Sequence, residues 1–242
     1  MKVEQKKKQI NVNDIDCEPH QLRRVMKAIK FDNPEIFYWF PEKSDYNEEN
    51  GVLKLSYTTA SAEETKELLE KLKAKKKEVL AEIREIKETK ENEVTEDALD
   101  EIQNLYEYLL ENVEYAEEEL EKPECVRSIY DVTGVLLQEG KGRAACLGIA
   151  LAVNYICSNL HIPSILVTGK AKIDDCVYVE SWAWNLVKVD GEYYHVDVAA
   201  ALGLPEDKKY KYLLLDDEEM KELGEERKWS EEIYPKAGIK EE

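Results

Sequence analysis

Between Gly140 and Val198 the chain changes character. Gly140-Lys141-Gly142 makes a flexible turn. Residues 146–160 follow as a stretch dense in small and apolar residues, Gly148, Ala150, Ala152, Val153 and Ile156 among them, with few charges to interrupt it. A helix of that composition is buried on most sides. Three strand-like runs come next, at 165–168, 177–189 and 193–198, and Asp190-Gly191 joins the last two as a tight hairpin. A buried helix followed by antiparallel strands predicts an α+β architecture.

The preceding sequence is more polar. Ile10 and Val12 alternate weakly as a strand, and Leu22, Val25, Met26 and Ile29 recur at helical spacing, with Pro19 in the first turn. Asp32-Asn33-Pro34 breaks that helix. Residues 36–40 read as a mostly aromatic strand, and 52–57 as a second strand after Asn50-Gly51. Ser61-Ala62-Glu63-Glu64 is a capping box that opens a long helix. Its stripe of Leu69, Leu72, Val79, Ile83 and Ile86 is interrupted by Lys76, so the helix is expected to lie on the body of the protein rather than in a coiled coil. The polar stretch 88–93 marks a boundary, giving an N-terminal α/β region at 1–92 and a second domain at 93–242. Thr95 is placed to cap the next helix, which buries Leu99, Ile102, Tyr106, Leu109 and Val113.

Charge narrows the range of functions. Thirty-four basic residues against fifty-three acidic ones give a formal charge of −19, which repels phosphate backbones and speaks against nucleic-acid binding. No apolar run approaches the roughly 20 residues that span a bilayer, so membrane insertion is not expected. No signal peptide is read at the N-terminus, so the expected location is cytoplasmic, or outside the cell with a leader removed. The five cysteines, Cys17, Cys125, Cys146, Cys157 and Cys176, form no CxxC pair, and His20, His161 and His195 are scattered. Neither a disulfide framework nor a metal or other cofactor is expected.

Cys146 sits where the glycine-rich turn enters the buried helix. Backbone N–H groups at a helix N-terminus favour a thiolate, but a cysteine nucleophile also needs a proton acceptor and a group that orients it. The hairpin downstream is where such partners would arise. Three segments in this order resemble the bacterial transglutaminase-like cysteine enzymes. Gly140 to Ala150, with its Cys146-Leu147-Gly148-Ile149-Ala150, is similar to the start of the family's catalytic helix. Ser181-Trp182-Ala183-Trp184-Asn185 is similar to its Gly-His-Ala-Trp-Asn strand, and Tyr194-His195-Val196-Asp197 to its Tyr-His-Val-Asp strand. Asp32 to Tyr38, Tyr108 to Tyr115, Ser128-Ile129-Tyr130, Leu213 to Met220 and Tyr234-Pro235-Lys236 resemble flanking segments, so the likeness covers nearly the whole chain.

The resemblance implies a papain-like core at 93–242 with Cys146 at the nucleophile position and Asp197 at that of the orienting carboxylate. The histidine position holds Trp182, whose indole N–H only donates. Leu147, Ile149 and the run Ala199-Ala200-Ala201-Leu202 also put apolar residues where the family carries polar ones. The expectation is a catalytically inactive transglutaminase-like protein whose remnant cleft, with Trp182, Trp184 and Tyr130, binds a peptide or protein. The alternative is an active cysteine-dependent acyl transferase or peptidase that uses Cys146 with His195 or another base; His195 and Asp197 on one strand share a face. A structural role for the long charged helix is a third reading. The sequence sets no oligomeric state.

Overall fold

A computed structural model describes residues 8–12, 18–59, 61–90, 98–120, 127–174, 177–223 and 227–239. The chain divides into two compact units, Met1–Ala74 and Lys75–Glu242, parted within a long helix.

In the first unit, β1 (Gln9–Asn11), β2 (Asp45–Asn47) and β3 (Val52–Lys54) form an antiparallel sheet in the order β1-β3-β2. Helix α1 (Pro19–Asp32) starts with proline at its first position, where no backbone donor is lost, and ends before Pro34. Leu22 and Met26 of α1 pack with Val12 and Leu53 to make a small core. The aromatic segment 36–40 is not the expected strand. Pro34–Ile36 and Pro41–Lys43 are 3-10 turns, each begun by a proline with its fixed φ, and only Trp39 forms an isolated bridge, to Tyr57. Phe37 and Tyr38 are still buried, so the apolar run marked burial correctly and its geometry wrongly. Helix α2 (Ala62–Lys90) begins as its capping residue dictates, with the Ser61 hydroxyl accepting from the Glu64 amide at 3.0 Å.

The second unit takes up the rest of α2. Val79 and Ile83 are fully buried, and Lys76 lays its ammonium 4.6 Å from the ring centre of Tyr155. The interruption of the stripe is thus filled by a cation–π contact. The expected cap Thr95 lies outside the described residues. Helix α3 (Ala98–Asn112) buries Ile102, Leu105, Tyr106 and Leu109, and Asn104 donates to the Ile83 carbonyl of α2. The chain continues as β4 (Val113–Tyr115), α4 (Glu117–Leu120), a 3-10 turn at Arg127–Tyr130, α5 (Val132–Leu136) and β5 (Gly142–Ala144), with β4 and β5 paired in parallel.

Helix α6 (Cys146–Leu160) is enclosed, with twelve of its residues buried. It packs on an antiparallel sheet of order β10-β6-β7-β8-β9, built from β6 (Ser164–Asp174), β7 (Val177–Val189), β8 (Glu192–Val196), β9 (Leu213–Leu215) and β10 (Lys228–Trp229). Asn185 of β7 fastens the two layers, donating to the Ala150 carbonyl at 3.0 Å and to Asn154 Oδ1 at 2.9 Å. Asp190 and Gly191 both take positive φ at the β7–β8 hairpin, as a tight two-residue turn requires. Two short helices, α7 (Val198–Ala201) and α8 (Asp217–Glu222), flank β9. This is an α+β fold with a cysteine-bearing buried helix on an antiparallel sheet. The third strand is shorter than expected, stopping at Val196 because Asp197 turns to cap α7. Among the described residues, no helix is long and apolar enough to cross a membrane.

Candidate active site

Cys146 is held at the first position of α6 by a rigid entry. The Ala145 amide donates to the Ile129 carbonyl at 2.8 Å, and the Ala116 amide to the Ala144 carbonyl at 3.1 Å. Gly148, one residue past the thiol's neighbour, lies so close to the Arg127–Tyr130 turn that a Cβ there would fall 2.5 Å from the Ile129 carbonyl oxygen. The N-cap is Ala145, which has no side chain to satisfy the first-turn amides. One of them, that of Leu147, bonds the sulfur instead, as do the Ala183 backbone from β7 and the Tyr115 hydroxyl from the end of β4.

Those donors favour a thiolate, yet the thiol is pushed up from 9.0 to about 11. Burial is the main cause, since Cys146 is only 7% exposed and desolvation penalises the charged form. The negative charge of Asp197 adds to it. Position at a helix N-terminus and burial therefore compete, and burial wins.

Trp182 and Asp197 complete the cluster. The Trp182 indole stacks on Tyr115, ring centres 5.8 Å apart, and its Nε1–H donates to Asp197 Oδ2 at 2.8 Å. Asp197 is 1% exposed. Its Oδ1 accepts the Ala200 amide at 3.0 Å as the cap of α7, and its Oδ2 also accepts Arg227 Nη2 at 2.9 Å. The guanidinium lies 5.4 Å from the Trp182 ring centre and 5.7 Å from that of Tyr212. The cysteine, tryptophan and aspartate positions thus come together through Tyr115, which bonds the sulfur and stacks on the indole that donates to Asp197.

His195 is committed elsewhere. Its Nδ1 accepts from Trp184 Nε1 at 2.9 Å and its Nε2 lies 2.9 Å from Asp217 Oδ1. An indole only donates, so Nδ1 is unprotonated and Nε2 carries the proton toward Asp217. Trp229 packs edge-on against the imidazole, ring centres 4.7 Å apart. Both nitrogens are occupied, which leaves neither to take a thiol proton. The shared face expected for His195 and Asp197 fails because strand alternation ends at Val196. Trp184, 1% exposed, belongs to this second cluster, while Tyr130 is 39% exposed on its 3-10 turn. Residues 146, 182 and 197 are brought together, and 195 and 184 form a separate cluster with Asp217 and Trp229.

Two participants escaped the sequence reading. Tyr115 ends a segment that resembles the family and carries no other signal in the sequence. Arg227 lies thirty residues beyond Asp197 in a run of charged residues, which reads as a solvated surface.

Residues 83–198 match the model of the transglutaminase-like superfamily. No curated protein matches significantly. Among solved structures, a TGase shares 14% identity, with a TM-score of 0.43 over 88% of this chain and 55% of its own. A candidate cysteine protease from Cytophaga hutchinsonii shares 14% identity, with a TM-score of 0.37 over 78% of this chain and 45% of its own. The chain thus spans about half the length of either structure. The matched segment 83–198, a little under half of the chain, holds Cys146, Trp182 and Asp197 and is similar to the transglutaminase-like superfamily.

Proposed function

We propose that this protein is a catalytically inactive transglutaminase-like protein, whose role is to bind a peptide or protein rather than to make or break an amide bond. The observation that carries the inactive reading is the Trp182–Asp197 hydrogen bond. A cysteine enzyme of this kind needs one group to take the thiol proton and return it to a leaving amine. The residue bonded to the orienting carboxylate here is an indole, which does neither. The protonated thiol and the engaged nitrogens of His195 support the same reading.

The test is turnover on glutamine-donor and peptide substrates. The purified protein should show no transamidation, deamidation or hydrolysis above background. Wild-type turnover lost in both Cys146→Ala and His195→Ala, with both variants folded, overturns the reading and makes His195 the base. The binding role is tested by equilibrium binding of a peptide library to wild type and Cys146→Ala. Retained, equal affinity is expected, and the absence of any ligand counts against it.

A further inference from the structure

Asp197 is a buried carboxylate whose aromatic partner brings no charge. The indole donates one hydrogen bond and stays neutral, so the opposing charge comes from Arg227, whose side chain is 1% exposed like that of Asp197. Both donors converge on one oxygen, Oδ2. Arg227 is fixed from the other side by the strand that follows it. Lys228 pairs with Lys170 and Trp229 with Gly169 of β6. The approach is so close that a Cβ on Gly169 would fall 2.3 Å from the Lys228 carbonyl oxygen.

We propose that Arg227 is a second determinant of the silent state, a positioning residue that acts through Asp197. The proposal rests on the inactive reading and extends it. A cysteine relay works by moving the thiol proton onto an imidazole, leaving a thiolate beside an imidazolium whose positive charge faces the carboxylate. In this chain a guanidinium already sits 2.9 Å from that carboxylate. A second cation against the same oxygen is repelled, so an imidazole at position 182 stays neutral and the proton stays on sulfur. Replacing Trp182 alone therefore does not rebuild the relay; the charge of Arg227 has to leave as well.

The experiment measures the pH dependence of Cys146 alkylation, resolved by peptide mass spectrometry, in wild type, Trp182→His and Trp182→His/Arg227→Met. Wild type and the single variant should both titrate near 11. The double variant should titrate at least about two pH units lower, which is about 100-fold faster labelling at pH 8. A low midpoint in Trp182→His alone overturns the proposal, as does a folded double variant that titrates like the single one. A low midpoint in wild type instead overturns the inactive reading itself. If Arg227→Met does not fold in that background, Arg227→Gln replaces it with the same expectation. Should neither fold, the NMR titration of the imidazole introduced in the folded Trp182→His variant decides. A pKa below the ordinary value of about 6.5 supports the proposal, and one at or above it overturns it.

Discussion

The protonation state of Cys146 admits a quantitative check. An ordinary thiol at 9.0 is roughly 10% ionised at pH 8, and one at about 11 is roughly 0.1% ionised, a difference of about 100-fold in reactive species. Because the folded-state value is raised, the group adds stability that is fully present below pH 9 and lost as pH rises from 9 through about 11. Two pH units correspond to at most about 3 kcal/mol. The assay is iodoacetamide labelling between pH 7 and 10. Cys157 is the internal control, being fully buried in α6 and itself pushed up to about 12, chiefly by burial. Cys146 should label about 100-fold more slowly at pH 8 than an exposed thiol, with a rate still rising at pH 10. Labelling of both cysteines together would report unfolding of the unit. A Cys146 rate that reaches its plateau below pH 8, with Cys157 untouched, refutes the reasoning: it would mean that the Ala183, Leu147 and Tyr115 donors outweigh burial.

Two further expectations concern stability. Burial lowers the pKa of His195 below 6.5 despite its bond to Asp217, so its contribution is fully present above pH 6.5 and lost as pH falls below that through the folded value. Chemical denaturation should show wild type losing stability as pH falls below 6.5, and His195→Gln should flatten that slope; equal slopes would refute the lowering of the His195 pKa by burial. In α6, Gly148→Ala should cost about 1–3 kcal/mol despite the better helix propensity of alanine, because the added methyl meets the Ile129 carbonyl. A neutral or higher midpoint in thermal melts would show that the turn before α5 yields.

The elements that the sequence announces most clearly are those whose physics is local. The buried character of α6 follows from its own composition, the β7–β8 turn from Asp190-Gly191, and the start of α2 from Ser61. The stretch 36–40 misleads because a short apolar run reports burial without distinguishing a strand from a turn, and the prolines on both sides decide for the turn. At the candidate site, the ordered motifs locate Cys146, Trp182 and Asp197. Strand parity, however, assigns His195 the wrong neighbours, since one residue leaving the strand at Asp197 cancels the alternation. Arg227 is illegible for a different reason: a buried arginine is recognised by the carboxylate opposite it, and that pairing spans thirty residues of chain.

The last strand of the sheet in sequence lies at its edge. β6 is eleven residues long, and among the described residues β10 pairs with it at Gly169 and Lys170, while the Thr168 amide is taken by the Tyr234 hydroxyl at 3.1 Å. Ile165, Leu166 and Val167 stand next to that contact in the same strand. Until synthesis has passed Tyr234, β6 offers unpaired backbone groups beside an apolar stretch, the arrangement by which edge strands recruit one another into aggregates. The segment 227–234 covers part of that edge, and a chain shortened before Arg227 is expected to clump during expression even though most of its core residues are present.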